Sequence, residues 1–434
     1  MKSTEISGNI WLAIIAGGRG TRLFPHSHDD CPKQFCVLDD TNTFIQATAR
    51  RFIALGVKPN RIVVVTTNSR QTQLAYEQLT PLKVITPNII EIAPAYGYAG
   101  SMAKAAEFIY AHDDQAVVIN TPADQYIAQD DNFIDTMKLA ILSAQAGEPT
   151  IVGVKITDEV IFSGCGHAVY DPDDESFCKT VTGFVEKPDK KTTHRMLRED
   201  NSACNTGINV WLAEDLLNAV NCAELDAEAE RLLATGEKGE ALGTDELMTY
   251  LGQLRVAIGT FAWYDCGTLK ALYEISAKTP NHHNATLGKG YIERVHCMDS
   301  LFITMEGVNL FPINAEGVAV VLNNIKGKIV IAVVALSESQ LVRELAEDFQ
   351  RNEIILTNDY SVKARNNIVI DTNFSDEIVA GFVGVSGYVV HALKGPDGDI
   401  NITVSRNLNK IRNLAWLFSG NLITPPEKGE YFLC

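Results

Sequence analysis

The sequence predicts an α/β fold, built on a mostly parallel, mixed sheet and followed by a smaller β-rich C-terminal domain. Three observations predict it. Apolar β-branched runs alternate with helical patterns over the first 280 or so residues, and the first run ends in glycines. Beyond about residue 285 the texture changes to short β-rich runs punctuated by turns. A strand buried on both faces reads as a continuous apolar run, and strand–helix alternation with short connections gives right-handed parallel crossovers.

In chain order, Ile10 to Ala16 is the first such run. Ile62 to Thr66, Ala116 to Asn120 and Thr150 to Val154 repeat it. Between them, Thr43 to Leu55 places Phe44, Ala47, Phe52 and Leu55 near helical spacing before a terminating Gly56. Ala99 to Ala111 is Ala-rich and helical in period, and Phe133 to Ala144 sets Phe133, Met137, Ala140 and Ile141 on one face. Parallel sheets bind ligands at the carboxyl ends of their strands, so the glycines after Ala16 and the acidic residue after Asn120 should share one sheet edge.

The later runs are Val318 to Leu322, Ile329 to Val334, Ile354 to Leu356, Ile368 to Ile370 and Gly387 to His391. A helix is expected over Glu338 to Gln350. The expected division is a domain of residues 1–284 and a β-rich domain of residues 285–434, with a second division near 346 and a linker over Thr279 to Asn284. Packing or homo-oligomerisation is the default role for the second domain.

Composition narrows the function. Charged residues are 21% and hydrophobic residues 46% of 434, which is a globular balance. The formal net charge of -17 argues against nucleic acid and against an anionic membrane surface as partners, since both need a broad basic face. The longest apolar run, Ile329 to Leu336, is far below the roughly 20 residues of a membrane span, and Met1 to Ile10 lacks a signal-peptide pattern. A cytoplasmic protein is expected. The 9 cysteines, none in C-x-x-C spacing, read as free thiols of a reducing compartment; Cys31 and Cys36 stand closest in sequence.

The informative segment is Leu12 to Phe35, LAIIAGGRGTRLFPHSHDDCPKQF. After the buried strand, Ala16, Gly17, Gly18, Gly20 and Thr21 form a turn whose backbone N–H groups can close on an anion. Arg22 adds a planar cation, and Lys33, eleven residues on, adds a second. Two cations beside a phosphate loop suit a leaving pyrophosphate, on which negative charge builds. The segment is neither a Walker loop nor the G-x-G-x-x-G dinucleotide fingerprint, for Leu23 stands where the third glycine belongs. A nicotinamide-dependent oxidoreductase is correspondingly disfavoured.

The string G-G-x-G-T-R-L-x-P, followed by P-K-Q-F, resembles the signature of the sugar-1-phosphate nucleotidyltransferases and is most similar to their mannose-1-phosphate guanylyltransferase branch. The resemblance implies a Rossmann-like fold. It also implies a reaction in which a nucleoside triphosphate and a sugar 1-phosphate give a nucleotide sugar and pyrophosphate, with Mg2+. On it, Arg22 and Lys33 are catalytic. Asp124, in Thr121-Pro122-Ala123-Asp124-Gln125, and Asp265, in Trp263-Tyr264-Asp265, match the family's metal ligands. A hard pair of carboxylates suits magnesium; taken alone, either aspartate is better read as a helix cap.

The resemblance further assigns Gly97 and Pro122 to the nucleotide. It assigns Gly166, Glu186 and Lys187 (in Phe184-Val185-Glu186-Lys187-Pro188) and Asn205 (in Asn205-Thr206-Gly207-Ile208) to the sugar phosphate. An exposed Glu–Lys pair before a turn is the plain alternative for the first of these motifs. His167 is read either as structural or as a sugar contact. The segment from Glu91 to Ser101 departs from the guanylyl pattern, with Tyr98 where Asn is usual, and is nearly as similar to thymidylyl and uridylyl relatives. GTP with mannose 1-phosphate is the favoured substrate pair. A different nucleotide or sugar, such as a heptose 1-phosphate, and a catalytically silent nucleotide-sugar-binding homologue remain open.

Overall fold

The computed structural model describes residues 9–220 apart from 19 and 40, positions 228, 230–232 and 253–342, residue 346, and the stretches 370–372, 378–383, 385, 388–394 and 400–406. It divides into two compact units: residues 1–20 with 29–266, and residues 21–28 with 267–434.

The first unit is built on a nine-stranded sheet. Its first members are β1 (Ile10–Ile15), β2 (Ile62–Thr66), β3 (Ile89–Glu91) and β4 (Val117–Pro122). These lie in the order β3-β2-β1-β4, all parallel. Every residue of β1 and β2 is buried, as runs of Ile, Val, Leu and Ala covered on both faces require.

Three helices cover this half. α1 (Phe44–Leu55) begins at a reciprocal capping box of Thr43 and Gln46 and ends on Gly56 in the left-handed conformation. α2 (Ser69–Leu79) is capped by Asn68, whose carbonyl Oδ1 accepts the Gln71 N–H. α3 (Gly97–Tyr110) turns its Ala-rich face onto the sheet, packing Ala99, Met102, Ala103 and Ala106 with Val63, Val65 and Val118.

Beyond β4 the sheet is not mostly parallel. After a short β5 (Tyr126–Ile127) the remaining members are β6 (Thr150–Val154), β7 (Gly166–Tyr170), β8 (Lys179–Glu186), β9 (Ser202–Leu212) and β10 (Arg255–Gly259). Their order from β4 is β9-β6-β10-β8-β7, with β7 also pairing β9. Among the described pairings of this sheet, four are parallel and five antiparallel. The reversal has a physical cause. β7 and β8 pair antiparallel across a short connection, and β9 runs back antiparallel to β4 on one side and β6 on the other. α4 (Asp131–Gln145), capped by Asp130, covers this half through Phe133, Met137, Ala140 and Ile141.

The second unit carries two sheets. One orders Ala285–Gly288, Leu301–Thr304, Val318–Ile325, Lys328–Ala335 and Ile378–Val383; the other orders Val308–Ile313, Ile400–Arg406, Tyr388–Lys394 and Ile370–Thr372. Phe302, Leu310, Val320, Ile331, Val333, Val390 and Val404 form the core that they share.

The boundary expected at 284/285 differs from the observed division after Cys266. The helix Leu269–Ile275 is tied into the second unit, with the Lys270 N–H donating to Ser339 Oγ at 3.4 Å and Tyr273 OH to the His283 carbonyl at 2.8 Å. Thr279 to Asn284 is likewise hydrogen-bonded to itself, Thr279 N to Asn284 O at 2.9 Å, rather than a bare linker. Residues 21–28 also group with this unit, for Asn323 Nδ2 donates to the Pro25 carbonyl at 2.8 Å and to that of His26 at 3.3 Å. The helix expected over Glu338 to Gln350 and the runs Ile354 to Leu356 and Ile368 to Ile370 fall wholly or largely outside the described residues; Leu336–Leu341 forms tight helical turns.

Candidate active site

β1 is flanked by β2 and β4, so the chain leaves it toward one side of the sheet and later returns on the other. At such a switch point the loops diverge and leave a crevice at the carboxyl ends. Ala16 and Gly17 follow β1 there, and Pro122, Ala123 and Asp124 follow β4.

Two buried glutamines shape the glycine loop. Gln34, 2% exposed, donates from Nε2 to the carbonyls of Ala16 (2.5 Å) and Gly18 (2.8 Å). Gln71, 1% exposed, donates from Nε2 to those of Gly17 and Gly18, both at 3.3 Å, while its Oε1 accepts the Thr67 N–H. Thr67 Oγ1 donates to the Gly17 carbonyl at 3.0 Å. The carbonyls of Ala16, Gly17 and Gly18 are thus held from inside by side-chain donors. Gly17 abuts Thr67, where an added Cβ would lie 2.4 Å from Cγ2.

The glutamine amide predicts a stability effect. Gln34→Met keeps the volume and strands the buried Ala16 carbonyl, so unfolding free energy should fall by about 1–3 kcal/mol in urea titration. An unchanged midpoint would remove Gln34 as the loop's anchor.

Lys33 is a buried cation of this edge, with its side chain 4% exposed. Its Nζ lies 3.1 Å from Asp124 Oδ2, donates to the main-chain carbonyl of Asp265 and stands 5.5 Å from the Phe44 ring centroid. One ammonium therefore draws together the segments bearing both aspartates. The Asp124 side chain is 36% exposed and Asp265 is exposed, so both carboxylates remain open to a ligand. Asp265 follows the short strand β11 (Trp263–Tyr264), which pairs antiparallel with β5 just after Asp124. Cys266 behind it is buried, and burial pushes its thiol up to about 12.

The residues that the sequence motifs assign to the sugar phosphate gather at β7, β8 and β9. Gly166 pairs with Glu186 across β7 and β8, and a Cβ on Gly166 would meet Glu186 Oε2 at 2.4 Å. Lys187 forms an exposed ion pair with Glu186, Nζ to Oε1 at 2.9 Å. Asn205 Oδ1 accepts the Gly207 N–H at 2.9 Å. β9 joins this group to the carboxyl end of β4. Gln125 Nε2 donates to the Thr206 carbonyl at 2.7 Å, Trp263 Nε1 donates to Gln125 Oε1, and Gly207, at φ +75°, has Pro122 beside it.

Gly97 opens α3 with φ 62°, and its carbonyl accepts from Ser101 Oγ. Tyr98 donates from its hydroxyl to the Gly207 carbonyl at 3.2 Å. Desolvation raises its phenol well above the ordinary range, and the Asp124 charge adds to that. His167 is a core residue: fully buried, stacked on Phe162 at 3.8 Å between centroids, with Nε2 2.8 Å from the Phe162 carbonyl.

Thr21 opens a tight turn, Thr21–Leu23, and Arg22 is exposed; both belong to the segment that groups with the second unit. The residues sequence reasoning missed are Thr67 and Gln71, and the anchoring role of Gln34, which it quoted only as part of a motif. The only available signal for Gln34 was its place beside Lys33.

The model of the nucleotidyl transferase family matches residues 12–282. The alginate biosynthesis protein AlgA of Pseudomonas putida is 26% identical over 292 residues, covering 63% of this chain and 59% of that protein. A mannose-1-phosphate guanylyltransferase of Escherichia coli is 30% identical over 217 residues, covering 48% of this chain and 45% of that protein. The chain thus spans about half to three fifths of the length of these curated relatives. A solved structure from Thermus thermophilus, described as a mannose-1-phosphate geranyltransferase, superposes with a TM-score of 0.62 at 22% identity, covering 79% of this chain and all of that one. That likeness is one of fold. No described helix is long and apolar enough to cross a membrane.

Proposed function

This chain belongs to the nucleotidyl transferase family, among the sugar-1-phosphate enzymes, and from that premise we propose that it makes a nucleotide sugar and pyrophosphate from a nucleoside triphosphate and a sugar 1-phosphate. GTP and mannose 1-phosphate are the favoured pair, because relatives so named align with this chain. The observation that carries the reading is Lys33, buried beside Asp124 and the Asp265 carbonyl at the carboxyl edge of β1 and β4.

An oxygen of the sugar 1-phosphate attacks the α-phosphorus of the triphosphate. The bond from that phosphorus to the pyrophosphate oxygen breaks in line. The attacking oxygen is already anionic at neutral pH, so the chain need supply neither nucleophile nor general base. Its work is to hold phosphates and offset charge. The glycine-loop N–H groups receive the triphosphate, and Lys33 offsets the charge growing on pyrophosphate. Arg22 is assigned the same task from its place in the motif. Glu186, Lys187 and Asn205 hold the sugar phosphate. Gly97 and Pro122, on the nucleotide edge, are assigned to the nucleotide, and Tyr98 beside them is the place to look for base preference.

Asp124 and Asp265 fit magnesium: both are hard oxygen donors open to solvent, and Mg2+ is commonly held by one or two carboxylates plus phosphate oxygens and waters. When bound, the ion supplies charge neutralisation at the reacting phosphates. Pyrophosphate release, measured across five nucleoside triphosphates with mannose, glucose and heptose 1-phosphates, tests the reading. Release with GTP and mannose 1-phosphate is expected. Release with another pair alone would move the specificity and keep the chemistry, and no release from any pair would end the proposal.

A further inference from the structure

Cys31 and Cys36 bracket Pro32-Lys33-Gln34-Phe35, the four residues that carry both the buried cation and the loop anchor. The bracket is also spatial. Lys33–Phe35 is a single tight turn, with Phe35 N donating to the Pro32 carbonyl at 2.9 Å and Cys36 N to that of Lys33 at 3.0 Å. The turn folds the two thiols together, Sγ to Sγ 3.9 Å, with Cys36 Sγ also 3.4 Å from the Cys31 carbonyl. A disulfide needs about 2.05 Å between the sulfurs, so closure asks for a movement of roughly 2 Å across a turn of four intervening residues.

The two thiols differ in a way that suits sequential oxidation. Cys31 is partly exposed, whereas Cys36 is buried. The hydrogen bond from Cys36 and the nearby Arg70 charge hold the Cys31 thiol below its ordinary range against the opposing effect of burial, while burial raises that of Cys36. Among the other described cysteines whose thiols are shifted (Cys178, Cys204, Cys266 and Cys297), all shift upward, with burial as the first or second cause. A partly exposed thiol held below its ordinary range beside a buried resolving thiol is the arrangement of a reversible oxidation site.

We propose that Cys31 and Cys36 form a redox modification site for hydroperoxides, whose closure to a disulfide displaces Lys33 and so switches off the transfer reaction; the second half of this rests on the function proposed above. The Cys31 thiolate attacks one peroxide oxygen and the O–O bond breaks, giving a sulfenic acid and a hydroxide that takes up a proton as water. The Cys36 sulfur then attacks the sulfenic sulfur. The S–S bond forms, the S–O bond breaks, and the Cys36 proton leaves with the hydroxyl as a second water. Two thiols are oxidised and one hydrogen peroxide is reduced; an external dithiol reverses the change. Lys33 has no slack to absorb the closure, since it is 3% exposed and fixed at its tip to Asp124 and the Asp265 carbonyl. Misplacement of about 1 Å in a positioning group can cost about 10²-fold in rate.

The test uses the full chain, treated with hydrogen peroxide, blocked with N-ethylmaleimide and digested with trypsin without reduction. Cleavage after Arg22, Lys33 and Arg50 releases Leu23 to Lys33 and Gln34 to Arg50, each with one cysteine. The expected product is these two peptides joined, two hydrogens lighter than their sum. Pyrophosphate release should fall about 10²-fold in parallel and return with dithiothreitol. Cys31→Ser should keep the reduced-state rate and lose the peroxide response. Amine labelling of Lys33 by a succinimidyl ester, read without any substrate, should rise on oxidation. Failure to find the joined peptide overturns the site. The joined peptide with unchanged Lys33 labelling overturns the switch. If the reduced protein releases no pyrophosphate at all, the function above fails, while peptide and labelling still decide the redox pair.

Discussion

Lys33→Met should lower kcat for pyrophosphate release about 10²–10³-fold, the loss typical of removing one preorganised donor from a developing oxyanion, while substrate KM values change far less. Lys33 is a buried charge at the carboxyl edge of β1 and β4, and a charge shielded from water acts more strongly on its neighbours than one in solvent. Its attraction grows as the pyrophosphate accumulates charge, so the loss falls on the transition state more than on binding. The fold should survive the change, because the carboxylate left behind, Asp124, is 36% exposed and is hydrated once its partner is gone. Lys33→Arg should not restore the rate, since the larger planar head does not fit a space filled by Phe44, Asp124 and the Asp265 carbonyl. Steady-state kinetics beside a near-ultraviolet circular dichroism spectrum decide it. A methionine variant with wild-type kcat and intact fold would remove Lys33 from the chemistry.

Gly20→Ala should damage both stability and rate. Gly20 has φ +58°, where a Cβ costs roughly 1–2 kcal/mol. That Cβ would also stand 2.6 Å from the Lys33 main-chain nitrogen and from Lys33 Cβ, and overpacking of this kind costs about 1–3 kcal/mol. The neighbour being pushed is backbone, so relief moves Lys33 itself, and a loss of about 10²-fold in kcat is expected. Gly18→Ala is the internal control for stability: nothing lies within 4 Å of its Cβ position, and its urea midpoint should match wild type within about 0.5 kcal/mol. Equal behaviour of the two variants would show that the approach of Gly20 to Lys33 carries no weight.

The contrast between these glycines shows where sequence reading stops. The apolar run Ile10 to Ala16 and the glycines after it place a loop at the end of a buried strand, and the helices around Phe44, Ala99 and Phe133 follow from their own spacing and caps. Those features are local. The direction of β9 is not, because the pattern of Ser202 to Leu212 reads the same whether its neighbours run parallel or antiparallel. Gln71 could not be found either. It lies on α2, and it reaches the Gly17 and Gly18 carbonyls because β1 and β2 pair and carry α2 to that edge. Nor does any nearby residue say that 21–28 will group with a strand some 300 positions later. Motifs pointed to Asp124, Asp265, Glu186 and Asn205; the supports that hold them, Gln125 with Trp263 and Gly166 against Glu186, became visible only through pairing.

The hydrogen bonds from Asn323 to the Pro25 and His26 carbonyls span 298 and 297 positions. Translation proceeds at about 5–20 residues per second, so roughly 15–60 s separate the emergence of these partners from the ribosome. Throughout that interval the segment bearing Arg22 has left the exit tunnel while Asn323 has not yet emerged. β1, β2 and β4 can pair during the wait, but the two hydrogen bonds to Pro25 and His26 cannot form until Asn323 arrives. A nascent chain stalled before that point would therefore carry a largely formed first sheet together with an unfinished phosphate-loop segment.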